Sequence, residues 1–341
     1  MTYRGAITVA LLLLATGLVS VPWYLRERGD PALVVYCASD SFYSEKQLRA
    51  FEEQTGIPVQ VEWDTEATKA LGLIQRIIHE KDHPRCDVFW NNEQLGAMDL
   101  MARQLLEPYQ GPGFERIPAT YKDPDGHWVG FAARMRVWIV NTERMPAQLD
   151  AVADVLAHDL SRVAIAKPLY GTTRTHYSVL WDHWGGPGLQ NWHADWRARN
   201  AFEVLGNATV KNRVASGSCD LGLTDTDDYF VAKDADRPVA MLPFRLDDGR
   251  VICIPNTVAI IKGTKQLAAA RKLVDFLLSQ ETELALSRSV SRQIPLGPVA
   301  PDMLSDEVKQ LMTWASNPYP LADLSDASAA CLDWLLSEYV P

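Results

Sequence analysis

The alternation of strand and helix patterns in the first hundred residues constrains the fold more than any other feature. Short apolar runs predict strands at 32–39, 59–63 and 86–90, and apolar residues at helical spacing fill the two intervals between them. Ser44 and Gln47 predict a capping box at the start of the first of these helices, and Gly56 predicts its C-cap. This β-α-β-α-β order predicts a parallel sheet with helices on both faces, in which ligands bind outside the carboxyl ends of the strands.

The rest of the chain repeats this organisation. Strand patterns recur at 136–142, 163–168 and 220–225, and a further strand from residue 251 precedes a helix that begins near Thr264. A chain of 341 residues is longer than one hydrophobic core usually serves, so two lobes are expected. The predicted fold class is therefore α/β, with two lobes that each hold a mainly parallel sheet flanked by helices.

The N-terminus differs from the rest of the chain. After Arg4, residues 6–25 contain no charged side chain, and this length is typical of an export signal or a membrane anchor. Residues 1–29 are therefore assigned to a signal peptide or anchor and excluded from the fold. We expect the remainder to lie in the periplasm or elsewhere on the extracytoplasmic side of a membrane.

Charge and cysteine content argue against two kinds of site. The chain carries a net charge of −10 and has no basic segment, so a nucleic-acid partner is not expected. Its five cysteines show no C-x-x-C spacing, so a zinc site is not expected either. Cys37 and Cys253 lie in apolar runs typical of buried residues, and one disulfide among the five would suit an oxidising compartment.

The order and spacing of four segments are shared with a known family: VVYCASDSFYSEKQ, DVFWNNEQLG, GFAARMRVWIVNT and AIIKGTKQLAAAR. Over residues 32–300 the chain resembles the extracellular solute-binding proteins of ABC importers. The similar branch contains the ferric-iron-binding and aminoethylphosphonate-binding proteins. The resemblance implies that the protein delivers one small ligand to a membrane permease.

The same resemblance implies a division of the chain. It predicts a two-lobed periplasmic binding protein fold of type II, with the ligand in the cleft. Residues 30–132 plus 255–294 would form lobe 1, and residues 133–254 plus 295–341 would form lobe 2. The two strands that cross between the lobes would lie near 130–137 and 252–258.

Two features would bind the anionic part of a ligand. Gly171, Thr172 and Thr173 precede a predicted helix, and backbone N–H groups at a helix N-terminus bind anions. The family places an anion at such a position and often has an arginine where this chain has Arg134, whose planar guanidinium donates hydrogen bonds in pairs. The alternatives are that a threonine only caps the helix and that Arg134 forms a salt bridge at the hinge.

Polar residues after the first and third strands extend the predicted site. Asp40 and Tyr43 follow the first strand. Asn92 matches the position at which ferric-binding relatives use a carboxylate or an amide. The neighbouring Glu93 is predicted either to contact the ligand or to interact with a helix dipole as a first-turn residue.

The segment GLTDTDDYF holds the most acidic part of the predicted site. The ferric-binding relatives carry two adjacent tyrosines here, whereas this chain has Asp227 and Asp228, with Tyr229 one place later. Because carboxylate and phenolate oxygens are hard donors, these three residues are the predicted metal ligands. Alternatively, Asp225, Asp227 or Asp228 binds the ammonium group of an aminophosphonate, or the segment is a solvated turn with Asp225 capping the next helix.

The expected function is capture of a small ligand by closure of the cleft. Ferric iron with a synergistic anion is the first ligand considered, and 2-aminoethylphosphonate is the alternative. The sequence contains no G-x-S-x-G, Walker A or H-E-x-x-H motif, so catalysis is not expected and Fe³⁺ would be cargo, not a cofactor. A monomer is expected. An enzyme or an anchored sensor domain on the same scaffold is the alternative class.

Overall fold

Ten strands form one mixed sheet in the part of the chain that the computed structural model describes, residues 31–64 and 71–340. The strands are β1 (Leu33–Cys37), β2 (Val59–Trp63), β3 (Val88–Asn91), β4 (Leu106–Glu107), β5 (Val129–Asn141), β6 (Val163–Ala166), β7 (Phe202–Val204), β8 (Leu221–Asp225), β9 (Val239–Pro243) and β10 (Cys253–Ile261). Their order is β2-β1-β3-β10-β5-β8-β6-β7, with β4 beside β10 and β9 beside β5.

Helices follow most of the strands and bury one face each. They are α1 (Ser41–Thr55), α2 (Leu71–His79), α3 (Leu95–Ala102), α4 (Pro112–Arg116), α5 (Leu149–Ala157), α6 (Gly171–Ala198), α7 (Asn207–Ala215), α8 (Thr226–Asp234), α9 (Leu267–Leu277), α10 (Gln280–Ser287), α11 (Asp306–Trp314) and α12 (Ser325–Tyr339). In α9 the buried residues are Ala270, Leu273, Val274 and Leu277, which is the apolar stripe that the helical periodicity of the sequence predicts.

β5 is the longest described strand, and it joins two lobes. Its first part, from Val129 to Met135, pairs with β10, and its second part pairs with β8 and β9. We call the side with β1 to β4 and β10 lobe 1, and the side with β6 to β9 lobe 2. The chain crosses between the lobes within β5 and again near Ile252, whose carbonyl accepts a hydrogen bond from the Arg136 amide (3.0 Å). The predicted two-lobed α/β fold with two crossing strands is confirmed.

The sequence bounds of the two lobes stay a prediction. The C-terminal helix α12 packs against α6 of lobe 2 and also against α3 of lobe 1. The segment predicted for lobe 2 after residue 295 therefore contacts both lobes. The predicted signal or anchor, residues 1–29, lies outside the described residues.

Two predicted element boundaries are wrong. Helix α1 begins at Ser41 with Asp40 at its N-cap, and the Ser44 hydroxyl donates to the Asp40 carbonyl (2.8 Å), so Ser44 does not cap the helix. The strand expected from residue 136 begins at Val129. Its first part, which the local pattern did not predict, pairs with β10 of lobe 1. The predicted C-cap at Gly56 is correct, with a left-handed φ of 69°.

All five cysteines lie in the described part of the chain, where each is buried and none forms a disulfide with another described cysteine. Cys37 and Cys253 are buried as the apolar runs predict, and the disulfide that the sequence would allow is not formed. Between residues 31 and 64 and between 71 and 340, no helix combines the length and the apolar character needed to cross a membrane.

Candidate functional site

A cleft of about 280 Å³ opens between the lobes, at the carboxyl ends of β1, β3, β6, β7 and β8. This is where an α/β sheet usually binds its ligand. The predicted residues that line it come from both lobes and from the crossing strand: Asp40, Asn92, Arg134, Gly171, Thr172, Thr173, Asp225, Asp227 and Asp228. The volume is close to the lower end of small-molecule pockets, so the cleft suits a ligand of few heavy atoms.

The N-terminus of α6 forms one wall of the cleft. The residue at its N-cap makes no side-chain capping bond to any described residue, so the first N–H groups keep their capacity to bind an anion. Gly171 has a φ of 53°, a conformation that favours glycine. The hydroxyl of Thr172 donates to Asp225, and that of Thr173 donates to Asn207 Oδ1 (3.1 Å). Both threonines therefore contact neighbouring side chains and do not cap the helix.

Arg134 lies in the cleft lining with only 3% of its surface exposed. One of its Nη atoms donates to the Asn92 carbonyl, and the other donates to Asn256 Oδ1 (3.4 Å). Its Nε lies 3.8 Å from Asp227 Oδ2 and 3.9 Å from Asp225 Oδ2. Burial alone would lower the pKa of Arg134, but the neighbouring acidic groups outweigh burial and raise it above its ordinary value. Arg134 is therefore a permanent buried cation beside the acidic residues.

Asp225 is held by three side chains of the protein. It lies opposite Arg136 in the pairing of β5 with β8, and Arg136 Nη1 donates to its Oδ1 (2.7 Å). Its Oδ2 accepts hydrogen bonds from the Thr172 hydroxyl and from Asn207 Nδ2 (2.9 Å). Asp225 occupies the N-cap position of α8 but makes no side-chain capping bond among the described residues. We conclude that Asp225 connects β5, α6 and α7 of lobe 2 through these contacts.

Asp227 and Asp228 lie in the first turn of α8, where the helix dipole favours negative charge. Asp227 is buried and Asp228 is half-buried, and Asp228 Oδ2 accepts a hydrogen bond from the Thr224 hydroxyl (2.8 Å). Burial and the charges of Asp227 and Asp225 raise the pKa of Asp228 to about 8, although Thr224 and Lys211 act in the opposite direction. Asp228 therefore binds its proton more tightly than an exposed aspartate does, and a cationic ligand would favour release of that proton.

We expect Asp228→Asn to stabilise the ligand-free protein more as the pH rises. Folded Asp228 keeps its proton up to about pH 8, whereas an unfolded aspartate releases it near the ordinary pKa of 3.8. The folded state thus binds more protons between these values, and its stability falls as the pH rises through this window. Asparagine does not titrate, so the variant does not lose stability in this way as the pH rises. The difference in the free energy of unfolding between variant and wild type should therefore grow by about 1–3 kcal/mol from pH 5 to pH 8.

Chemical denaturation at the two pH values measures this difference. Asp302→Asn, at an exposed position outside the cleft, is the control. A difference for Asp228→Asn that is the same at both pH values would contradict the raised pKa.

Tyr43, Glu93 and Tyr229 lie behind the cleft wall and do not line it. Glu93 is 2% exposed and accepts hydrogen bonds from the amides of Leu95 (2.5 Å) and Gly96 (2.9 Å) at the start of α3, which is the helix role that the sequence also allowed. Tyr43 packs in the core of lobe 1, and Tyr229 packs in the core of lobe 2. In this conformation the predicted metal set therefore contributes two of its three residues to the cleft.

The cleft also contains residues that were not predicted from the sequence: Phe42, Lys167, Tyr170, Leu205, Asn207 and Lys211. Lys167 and Leu205 directly follow β6 and β7, so the rule that ligands bind at strand ends could have found them. Lys211 lies one turn inside α7 and belongs to no motif, so no sequence signal marks it.

The carboxylates of the cleft do not form a preorganised metal cluster. Among the described residues, two groups have three histidine or carboxylate ligand atoms within 4.8 Å of one another: Asp123 with Asp125 and His127, and His183 with Asp247 and Asp248. Neither group lines the cleft, and the aspartates of the cleft are not among them. A metal ion in the cleft would therefore need further donors from an accompanying anion or from movement of the lobes.

Comparison with known proteins shows the family to which the chain belongs. The family model for the bacterial extracellular solute-binding protein matches residues 33–289. Iron uptake protein A1 from Synechocystis sp. is 24% identical over 283 residues, which cover 76% of this chain and 75% of that protein.

Two solved structures share the fold. Iron-bound HitA from Pseudomonas aeruginosa has a TM-score of 0.77 at 20% identity and covers 89% of this chain and 99% of its own. AfuA from Actinobacillus pleuropneumoniae, with fructose-6-phosphate bound, has a TM-score of 0.75 at 19% identity and covers 91% of this chain and 99% of its own. Such likeness shows the fold, and the match to the family model over most of the chain shows the family. The chain belongs to the bacterial extracellular solute-binding proteins, which are binding proteins and not enzymes.

Proposed function

We propose that this protein is the extracytoplasmic component of an ABC importer and captures a small zwitterionic phosphonate or phosphate ester of the 2-aminoethylphosphonate type. Its anionic head would bind the N-terminus of α6 together with Arg134 and Lys211. Its ammonium group would bind Asp227 and Asp228. Residues 1–29 would direct export or anchor the protein in a membrane. The protein would act as a monomer and deliver its ligand to a membrane permease.

The observation that carries this proposal is the presence of both signs of charge in one small cleft. The described lining holds four carboxylates, from Asp40, Asp225, Asp227 and Asp228, and three cationic side chains, from Arg134, Lys167 and Lys211. A ligand that carries both charges can interact favourably with the carboxylates and with the cationic groups of the lining at the same time. A bare anion or a bare cation would interact favourably with only one of these two sets, so a ligand with both charges suits the lining best.

The positions of these groups suit binding by cleft closure. Asp40 and Asn92 belong to lobe 1, whereas the N-termini of α6, α7 and α8 belong to lobe 2. A ligand that contacts both walls is bound more tightly when the lobes are closed, and this difference in affinity drives the closure. The Oδ1 atom of Asn92 is buried without a partner among the described residues, so it is available to accept a hydrogen bond from such a ligand.

We expect Lys211→Met to weaken binding of 2-aminoethylphosphonate by about 10- to 100-fold, because a charge-assisted hydrogen bond to the phosphonate is lost. Lys211 is half-buried in the cleft lining, whereas Lys272 is exposed on α9. Lys272→Met is therefore the matched control and should bind like the wild type. Isothermal titration calorimetry on the full-length chain measures both. Binding of 2-aminoethylphosphonate that Lys211→Met leaves unchanged would remove Lys211 from the proposed site.

Ferric iron with a synergistic anion is the second candidate ligand. It is supported by the iron-related names of relatives such as iron uptake protein A1 and by the hard oxygen donors of Asp227 and Asp228. Titration with ferric nitrilotriacetate separates the two candidates. Saturable 1:1 uptake of iron, with no heat from 2-aminoethylphosphonate, would favour iron, and the reverse result would favour the zwitterion.

A further inference from the structure

Two large apolar side chains are exposed in the cleft itself. Phe42 is 46% exposed and Leu205 is 64% exposed, and both line the cleft. They come from opposite walls, since Phe42 lies in the first turn of α1 in lobe 1 and Leu205 lies between β7 and α7 in lobe 2. A single exposed apolar residue is ordinary on a protein surface, but two that face one small polar cleft from both lobes require an explanation.

The ring of Phe42 contacts a buried aromatic ring of lobe 1. It meets the ring of Tyr43 edge to face, with centroids 4.9 Å apart and an interplanar angle of 87°. Tyr43 is 2% exposed in the core of lobe 1, so it provides a fixed support. Tyr43, which the sequence suggested as a ligand contact, therefore positions Phe42. An ordered aromatic ring in a cleft offers an apolar surface that loses little conformational entropy on binding.

The apolar surface continues beyond this pair. Val231 on α8 and Ala208 on α7 also line the cleft, close in sequence to the charged residues Asp228 and Lys211. Apolar and charged groups thus share the same lining. A bare ion would use only the charged groups, and the exposed ring and leucine would gain nothing when it binds.

We infer that Phe42 and Leu205 form an apolar lip that closes over the carbon chain of the ligand. This inference rests on the proposed function and narrows it, because it assigns an organic body to the ligand between its two charged ends. The lip selects a phosphonate or phosphate ester with a short alkyl chain over inorganic phosphate. Burying the exposed surfaces of both side chains against this chain supplies the hydrophobic part of the affinity.

The test compares two probes, 2-aminoethylphosphonate and inorganic phosphate, by calorimetry on the full-length chain. Phe42→Ala and Leu205→Ala should each weaken binding of 2-aminoethylphosphonate by about tenfold, because apolar contact area is lost. Binding of inorganic phosphate should be unchanged. Phe202→Ala and Leu149→Ala are the matched controls, since these residues are 38% and 51% exposed and lie outside the cleft lining. Thermal melts confirm that each variant is folded.

Three results would overturn the inference. If the variants bind 2-aminoethylphosphonate like the wild type, the lip does not contact the ligand. If they weaken both probes equally, Phe42 and Leu205 contact each other on closure and not the ligand. In either case the proposed function stands. If the wild type binds neither probe, the proposed function fails, and the inference fails with it.

Discussion

Asp225→Asn should lower the free energy of unfolding by about 3–5 kcal/mol, the largest loss of stability that we expect from a single conservative change in the cleft. Arg136 is completely buried and Asp225 is 4% exposed, with 2.7 Å between Arg136 Nη1 and Asp225 Oδ1. Asparagine keeps the shape of the side chain but removes its charge. The buried guanidinium of Arg136 then has no counter-charge in direct contact, and an uncompensated buried charge is costly.

The matched control is Asp220→Asn. Asp220 also pairs with an arginine, since Arg162 Nη2 lies 2.6 Å from its Oδ1, but the Arg162 side chain is 48% exposed. An exposed ion pair contributes only about 0–1 kcal/mol, because water solvates whichever charge remains. Urea denaturation of both variants measures the contrast.

A double variant tests the cause. Arg136→Met added to Asp225→Asn removes the unpaired charge, so it should recover part of the lost stability. If Asp225→Asn costs no more than Asp220→Asn, or if Arg136→Met lowers stability further, the buried pair does not stabilise the fold in this way.

Much of the fold can be predicted from the sequence, because its apolar residues recur clearly at the helical period in some segments and at the strand period in others. The apolar stripe of α9 and the C-cap at Gly56 come directly from helix geometry. The local strand pattern begins only at residue 136, and a crossing strand near 130–137 was expected from the family resemblance alone. The partner of Val129 to Met135 is β10, which lies more than a hundred residues later in the chain. Pairing over such a separation is set by the tertiary fold, and a local pattern contains little information about it.

Of the residues that line the cleft, those at or just after the ends of strands were the easiest to predict from the sequence. Asp40, Asn92 and Asp225 follow or end parallel strands, and in an α/β sheet these ends converge. The direction in which each of these side chains points is harder to predict. Asn92 faces the cleft whereas the adjacent Glu93 turns back to the amides of α3, and the sequence alone leaves both directions open.

Helix geometry explains the other differences between the predicted and the observed cleft residues. Residues three apart share a face of a helix, so Asp228 and Val231 of α8 both line the cleft, whereas Tyr229 turns into the core of lobe 2. Tyr229 was predicted to share the site of the aspartates because it is adjacent to them in the sequence. Lys211 and Phe42 were missed because the side of α7 and of α1 that faces the cleft is decided by how the lobes pack.

The double substitution of Asp227→Asn with Asp228→Asn should weaken binding of 2-aminoethylphosphonate by at least about 100-fold, because the ammonium group loses both of its carboxylate partners in a partly desolvated site. The same variant should bind ethylphosphonate, which has no ammonium group, at least as tightly as the wild type. Removing two negative charges from the lining relieves their repulsion of the phosphonate, so the preference between the two ligands should reverse.

The pH dependence of binding provides a second readout of the same residues. Because burial and the neighbouring carboxylates raise the pKa of Asp228 to about 8, wild-type affinity for 2-aminoethylphosphonate should increase from pH 6 to pH 8 as Asp228 loses its proton. The double variant should lose the part of this increase that comes from Asp228, and should keep only the part that comes from titration of the phosphonate itself, which ethylphosphonate measures separately. Asp302→Asn with Asp306→Asn, two exposed acids outside the cleft, is the control. Wild-type affinity for 2-aminoethylphosphonate in the Asp227→Asn, Asp228→Asn variant would exclude these carboxylates as the cation-binding part of the cleft.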